Sequence, residues 1–330
     1  MARDLVSAPD RAPACACSAV TGPGRLTPEV ERLEARIEEL NADRARLLRE
    51  NQLHLGKLRW HWATYPWTVR DWRDDEIPRG PYDARRTALR SKLVQLLSAP
   101  EFPTEDRRVT VVVTSCKRHD LLERTLESFF KTNSYPIEKA IVVEDGEEPF
   151  APALKARFAD HPMDWMNTGE RLGQIRAIDA AYSRIATPYV FHMEDDWEFV
   201  RPRFIEMSIP ILEAEPLCLQ VWLRGRSGPY FHQFAGGVRL TSGVRWRQAS
   251  PSPVSIWHGF SFNPGLRRLR DYRLIGSSYS ANVESRLGKG GLAEGQLSEL
   301  YASVGYFAAS LWIADGKRLI VHLGRDRHVL

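Results

Sequence analysis

The sequence predicts an α/β domain, a mostly parallel sheet flanked by helices, carried behind an N-terminal coiled-coil-like helical arm. Three observations lead there. From residue 109 to about residue 200, short β-branched and apolar runs alternate with segments of helical periodicity, which is how buried parallel strands joined by crossover helices read. Two of those runs end in acidic clusters, Glu144-Asp145 and Glu194-Asp195-Asp196. Upstream, residues 26–58 place apolar side chains at alternating spacings of three and four, the seam of a coiled coil.

A chain of 330 residues with 43% hydrophobic content can bury one full core and still carry an appendage. Its 46 basic and 42 acidic residues leave a net charge of +4, a mixed balance that excludes a nucleic-acid-coating protein. The cysteines, Cys15, Cys17, Cys116 and Cys218, are too scattered for a disulfide framework and read as thiols in a reducing compartment. No run approaches the roughly 20 apolar residues that cross a bilayer, and the first 25 residues lack a secretory apolar segment. A cytoplasmic location is the expectation.

Taken in order, residues 1–25 mix Pro, Gly, Ser and Ala without periodicity and are expected to be flexible. Over 26–58, Thr27 can cap and Pro28 suits a first turn, and Val30, Leu33, Ile37, Leu40 and Leu47 share one seam. Arg44, Asn51 and His54 interrupt that seam, as register-fixing polar residues do. Such a helix serves homodimerisation or partner docking, or else folds back on the domain. Residues 59–107 comprise a connector with Trp60, Trp62, Trp67 and Trp72 and then a basic helix over 84–97. In that helix Leu89 and Leu93 lie opposite Arg85, Arg86, Arg90 and Lys92, a pattern that suits a solvated basic face or contact with a membrane surface.

The domain proper spans 108–330. Strands are expected at 109–114, 140–143, 164–166 and 189–193, with helices at 119–131, 154–159 and 173–185 between them and a further helix from 292 to about 305. Ligands of parallel sheets bind beyond the carboxyl ends of the strands, and both acidic clusters stand there. Adjacent carboxylates disfavour one another's charge unless a cation compensates. A hard divalent ion, Mn²⁺ or Mg²⁺, would compensate and leave open positions for phosphate oxygens; the alternative is that these are ordinary turn residues.

The order of these pieces resembles the family 2 glycosyltransferases and their GT-A relatives. Thr110 to Arg118 is similar to the first strand and nucleotide loop of that family, Val142 to Gly146 to its second-strand signature, Asn167 to Gly173 to its Asn-Gly segment, and Tyr189 to Trp197 to its strand and DXD-type motif. Asp179 stands where the family usually has Asn. The resemblance implies a donor site for a nucleotide-diphosphate sugar, a UDP-sugar foremost, formed by Thr114, Ser115, Arg118, Glu144, Asp145, Arg171, Gln174, Glu194, Asp195 and Arg325. It implies Asp196 and His322 as metal ligands, Trp197 and Asn263 on the side of an unidentified acceptor, and Glu294 as the catalytic base, with Glu299 as the rival. The implied chemistry is an inverting displacement at the anomeric carbon. Two other readings stand beside it. A sugar nucleotidyltransferase usually needs a glycine-rich loop after its first strand, and residues 114–119 contain no glycine. A non-catalytic scaffold would make the coiled coil the working part.

Overall fold

The computed structural model describes residues 81–97, 105–223, 234–249, 259–283, 290–302, 304–313 and 318–324. The expected flexible terminus at 1–25, the coiled coil at 26–58, the four connector tryptophans and Arg325 lie outside the described residues.

The first helix, α1 (Pro81–Leu97), buries Leu89 and Leu93. The strand–helix alternation then follows the sequence closely, through β1 (Val109–Ser115), α2 (His119–Thr132), β2 (Lys139–Glu144), α3 (Pro152–Arg157), β3 (Met163–Asn167), α4 (Gln174–Tyr182) and β4 (Tyr189–Glu194). All seven residues of β1 are buried, which suits a β-branched strand covered on both faces. Its alternation sorts them: Val109, Val111 and Val113 join one core with Leu122, Leu126 and Phe129 of α2, while Val112 joins the other with Ala177, Ile178 and Tyr182 of α4. Helix α4 starts at Gln174 because Gly173 before it has φ +88, a left-handed backbone that favours glycine.

Past β4 come β5 (Trp197–Phe199), α5 (Phe204–Ala214), β6 (Cys218–Trp222), β7 (Phe234–Thr241), β8 (Val244–Ala249), β9 (Gly265–Arg268), α6 (Leu269–Leu274), α7 (Gly290–Ala302), β10 (Phe307–Leu311) and β11 (Ile320–His322). Among the described residues the main sheet has the order β3-β2-β1-β4-β9-β6-β10-β8-β7. Strands β3, β2, β1 and β4 are mutually parallel, and β6 is parallel to β10. Strand β9 runs against both β4 and β6, and β8 runs against β10 and β7. The sheet is therefore mostly parallel by strand direction, with helices on both faces, as the sequence predicts. Two short strands, β11 and β5, pair antiparallel beside it, with His322 opposite Trp197.

Register decides where the acids stand. Ser115 pairs with Glu144 of β2, and Thr114 pairs with Glu194 of β4. Both acidic clusters thus emerge at one level on either side of β1, with about 10 Å between the flanking strands.

Strand β9 is held by a buried ion pair. Arg268, 3% exposed, donates from Nε to Asp271 Oδ2 at 2.8 Å and from its other nitrogens to the carbonyls of Leu212, Pro216 and Cys218. Tyr306 donates its hydroxyl to Asp271 Oδ1 at 2.9 Å. Removing one partner of such a pair leaves a buried charge and costs about 3–5 kcal/mol. Asp271→Ala is expected to lose that much in urea unfolding; a loss under about 1 kcal/mol would contradict the pairing described.

Candidate functional site

The loop after β1 is pinned between the two acidic clusters. Lys117, at φ +56, donates its backbone N–H to Glu144 Oε1 at 2.7 Å, and Cys116 donates its own to Asp195 Oδ2 at 3.4 Å. Glu144 is fully buried and also faces His119 Nε2 at 3.2 Å. Asp145 accepts from the backbone N–H groups of Leu172 at 2.7 Å and Gly173 at 3.0 Å, which ties the segment before α4 to the end of β2. Glu144 and Asp145, expected at the donor site, thus make internal bonds that shape its loops. A carboxylate buried next to orphan N–H groups satisfies them, and here it shapes the loops. Thr114 and Ser115 are nearly buried at the rim, and Ser115 Oγ has no partner among the described residues. Arg171 is exposed, and its charge acts on Cys116, whose thiol is pushed up chiefly by burial.

The turn after β4 concentrates three carboxylates. Glu194 receives Gln174 Nε2 at 2.9 Å and Trp197 Nε1 at 3.4 Å; burial, then the charges of Asp196 and Glu294, push it up to about 7. Asp195 is fully buried, and that burial pushes it up to about 7 although Arg118 bonds both of its oxygens. At Asp196 burial also works upward, but hydrogen bonds from His322 and Arg118 and their charges prevail and hold its carboxyl below the ordinary range. Arg118 Nη1 lies 2.9 Å and His322 Nε2 3.3 Å from Asp196 Oδ2, while the buried Oδ1 has no hydrogen-bond partner among the described residues.

Helix α2 builds this turn through hydroxyls at positions that share a helix face. Thr125 donates Oγ1 to the Asp195 carbonyl at 2.7 Å and accepts from Trp197 N at 3.0 Å. Ser128 Oγ accepts from Phe199 N at 3.0 Å, and Thr132 Oγ1 donates to Phe199 O at 3.2 Å. Thr125, Ser128 and Thr132 escape a search for charged motifs; their spacing of three and four is the signal that finds them.

Strand β11 delivers the remaining wall. Its His322 ring stacks on Trp197 at 4.5 Å between centroids, and Leu323 N donates to the Asp196 carbonyl at 2.7 Å. Trp197, expected on the acceptor side, is 2% exposed and backs His322 from within the core. A Cβ at Gly324 would stand only 2.8 Å from Asp196 Cβ and 2.9 Å from its Cγ, so glycine alone permits this approach.

Opposite stands α7, which carries Glu294. Glu294 Oε1 accepts from Ser261 Oγ at 3.1 Å and from the backbone N–H of Phe262, and Ser298 Oγ accepts from Phe260 N at 2.8 Å. Asn263 donates its backbone N–H to Ser261 Oγ at 3.1 Å, so the turn that carries Asn263 is strapped to the helix that carries Glu294. The Glu299 side chain lies outside the described residues. Asp179, where Asn is usual, accepts from Tyr279 N at 2.7 Å, Ser280 N at 2.9 Å and Tyr272 Oη at 2.9 Å, and so closes a loop behind the sheet.

Among the described residues no three His, Cys, Asp or Glu side chains form a metal-holding group. Asp196 and His322 make a pair. An orphaned carboxylate oxygen beside an imidazole suits a divalent ion whose other positions are filled by phosphate oxygens and water.

Comparison with known proteins follows this geometry. No curated protein sequence matches the chain. The mannosyltransferase PcManGT from Pyrobaculum calidifontis, solved with GDP-Man and Mn²⁺, is 21% identical over 44% of this chain and 44% of its own, with a TM-score of 0.33. TarS 1–349 from S. aureus is 12% identical over 64% of this chain and 59% of its own, with a TM-score of 0.46. GalNAc-T7, solved with UDP, GalNAc and Mn²⁺, is 12% identical over 63% and 43%, with a TM-score of 0.44. The chain thus covers less than two thirds of each of these proteins. The model of glycosyl transferase family 2 matches residues 110–248, under half of the chain but all of the sheet from β1 to β8 with its acidic rim. Over those residues the chain is similar to the glycosyl transferase family 2 domain.

Proposed function

We propose that this domain moves a sugar from a nucleotide-diphosphate donor, a UDP-sugar foremost, to an acceptor hydroxyl with inversion, and that Asp196 and His322 hold the divalent ion the reaction uses. The observation that supports this most is the Asp196 carboxylate: one oxygen faces His322 Nε2 at 3.3 Å, and the other is buried without a hydrogen-bond partner among the described residues. An unsatisfied buried carboxylate oxygen is costly, and ligation would satisfy it. Bound there, Mn²⁺ or Mg²⁺ supplies Lewis-acid stabilisation of the departing diphosphate.

The chain's own residues account for the rest. In this reading Arg118 and Arg171 meet the diphosphate, and Thr114 and Ser115, buried at the end of β1, floor the donor side. Glu144 and Asp145 hold the loops that receive the nucleotide. Glu194 stays within electrostatic reach of Glu294. Glu294, fixed through Oε1 by Ser261 and Phe262, is placed to take the acceptor proton, with Asn263 beside it on the acceptor side. Arg325 completes the donor contacts in this reading. General-base help of this kind is worth on the order of 10²- to 10⁴-fold in rate.

Two variants separate these roles. Asp196→Asn is expected to remove Mn²⁺-dependent binding of the donor nucleotide in calorimetry, whereas Glu294→Gln keeps that binding and loses on the order of 10²-fold or more in transfer. Metal-independent nucleotide affinity in the wild-type chain, or undiminished transfer by Glu294→Gln, would remove the corresponding assignment.

Gly324→Ala tests the wall. The added methyl group forces residues 322–324 away from Asp196, and Mn²⁺ affinity in the presence of UDP is expected to fall roughly 10- to 100-fold, as when metal ligands lose their orienting contacts. An unchanged affinity would contradict the close approach.

The seam at residues 30–47 adds self-association through the arm to this reading. Replacing Leu33 and Leu40 together by Glu is expected to shift the light-scattering mass of the full chain from dimer to monomer. The same mass for both chains would dismiss it.

A further inference from the structure

Arg118 occupies an unfavourable position for a cation. It is the N-cap residue of α2, yet its side chain makes no cap hydrogen bond there, and the positive end of a helix dipole disfavours a guanidinium. Its carbonyl accepts from the N–H groups of Leu121 and Leu122, but its side chain caps nothing on the helix that starts there. Its side chain instead reaches across the rim to the turn after β4. It donates from Nε at 3.3 Å and from Nη2 to the two oxygens of Asp195, and from Nη1 at 2.9 Å to Asp196 Oδ2. Asp195 is fully buried and the Asp196 side chain 8% exposed, while the Arg118 side chain is 20% exposed and so borders the open side of the site.

The consequence is competition. Two adjacent buried carboxylates need a compensating cation, and a guanidinium fork already provides one. A divalent ion held jointly by Asp196 and His322 would use Oδ1, which has no hydrogen-bond partner among the described residues, and would also lie against Oδ2, which faces His322 and already receives Arg118 Nη1. It gains full access only when the guanidinium has another anion to bond, and a diphosphate is the partner that its planar fork matches. Asp195 keeps the Cys116 N–H when Arg118 leaves, so the turn retains a donor after the exchange.

We infer that Arg118 is a resident counter-cation that makes divalent-ion binding conditional on the nucleotide diphosphate: it neutralises Asp195 and Asp196 in the free protein and transfers to the phosphates as the ion takes Asp196. The inference rests on the Asp196–His322 metal reading above and adds an order and a coupling to it. By linkage the coupling is reciprocal, so the ion and the nucleotide raise each other's affinity by one factor.

The test is calorimetric titration of the full-length chain with Mn²⁺ alone and with Mn²⁺ at saturating UDP, for wild type, Arg118→Gln and Arg118→Lys. Thermal melting verifies that each variant is folded. In the absence of UDP, Arg118→Gln is expected to bind Mn²⁺ on the order of tenfold more tightly than wild type, within the usual range of coupling factors. UDP then strengthens Mn²⁺ binding far more in wild type than in the variant. Arg118→Lys keeps the charge without the fork and falls between the two; if the Gln variant does not fold, the Lys variant alone carries the comparison. Wild type that binds Mn²⁺ only with UDP, alongside variants whose affinity for Mn²⁺ alone is unchanged or weaker, would overturn the role of Arg118 and leave the metal reading standing. No Mn²⁺ binding by any of the three chains, with or without UDP, would overturn both.

Discussion

Neighbouring carboxylates at the end of a buried strand must share a counter-charge, and that constraint organises this domain. Strand β4 is covered on both faces, so its last residues leave the sheet into a space where water cannot solvate Glu194, Asp195 and Asp196 together. Gln174 and Trp197 meet Glu194, the Arg118 guanidinium meets Asp195 and Asp196 together, and His322 also faces Asp196. Those partners come from the loop after β1, the start of α4, the turn itself and the last short strand. The acid cluster is therefore the point at which distant parts of the chain are brought into one site.

The supporting structure explains why the cluster holds its shape. The turn from Asp195 to Phe199 has few sheet partners, since among the described residues β5 pairs with the three residues of β11 alone. Hydroxyls on α2 take the place of a neighbouring strand, and bonds of this type are each worth about 0.5–1.5 kcal/mol. On the other side, Glu144 and Asp145 accept from backbone N–H groups, which fixes the loops at the end of β1 and before α4. The acceptor side is held likewise, with Ser261 and Ser298 fastening the 260–263 turn to α7.

Where sequence reasoning succeeded and where it fell short have physical causes. Strands β1, β2 and β4 were legible from their apolar runs between polar turns and β3 from its place in the strand–helix alternation, and the observed bounds differ by a residue or two. The site was legible as far as acids at strand ends imply a rim. Strand β9 was not: Gly265–Arg268 ends in two arginines, yet all four residues are buried, because carbonyl oxygens and Asp271 receive the guanidinium of Arg268. Helix α5 contains Pro210, a residue that usually argues against a helix interior. Strands β5 and β11 have three residues each and form only because they meet in space. The internal bonds of Glu144 and the 2% exposure of Trp197 were not legible, because sequence shows charge and aromaticity but not burial.

The central claim, that Asp196 and His322 jointly hold the ion that meets the diphosphate, is most directly tested by pulsed electron paramagnetic resonance of Mn²⁺ in the full-length chain with UDP. The account predicts hyperfine coupling to one imidazole nitrogen and to phosphorus, with the nitrogen coupling lost in His322→Gln. A spectrum with phosphorus coupling but no nitrogen coupling in the wild-type chain would contradict it.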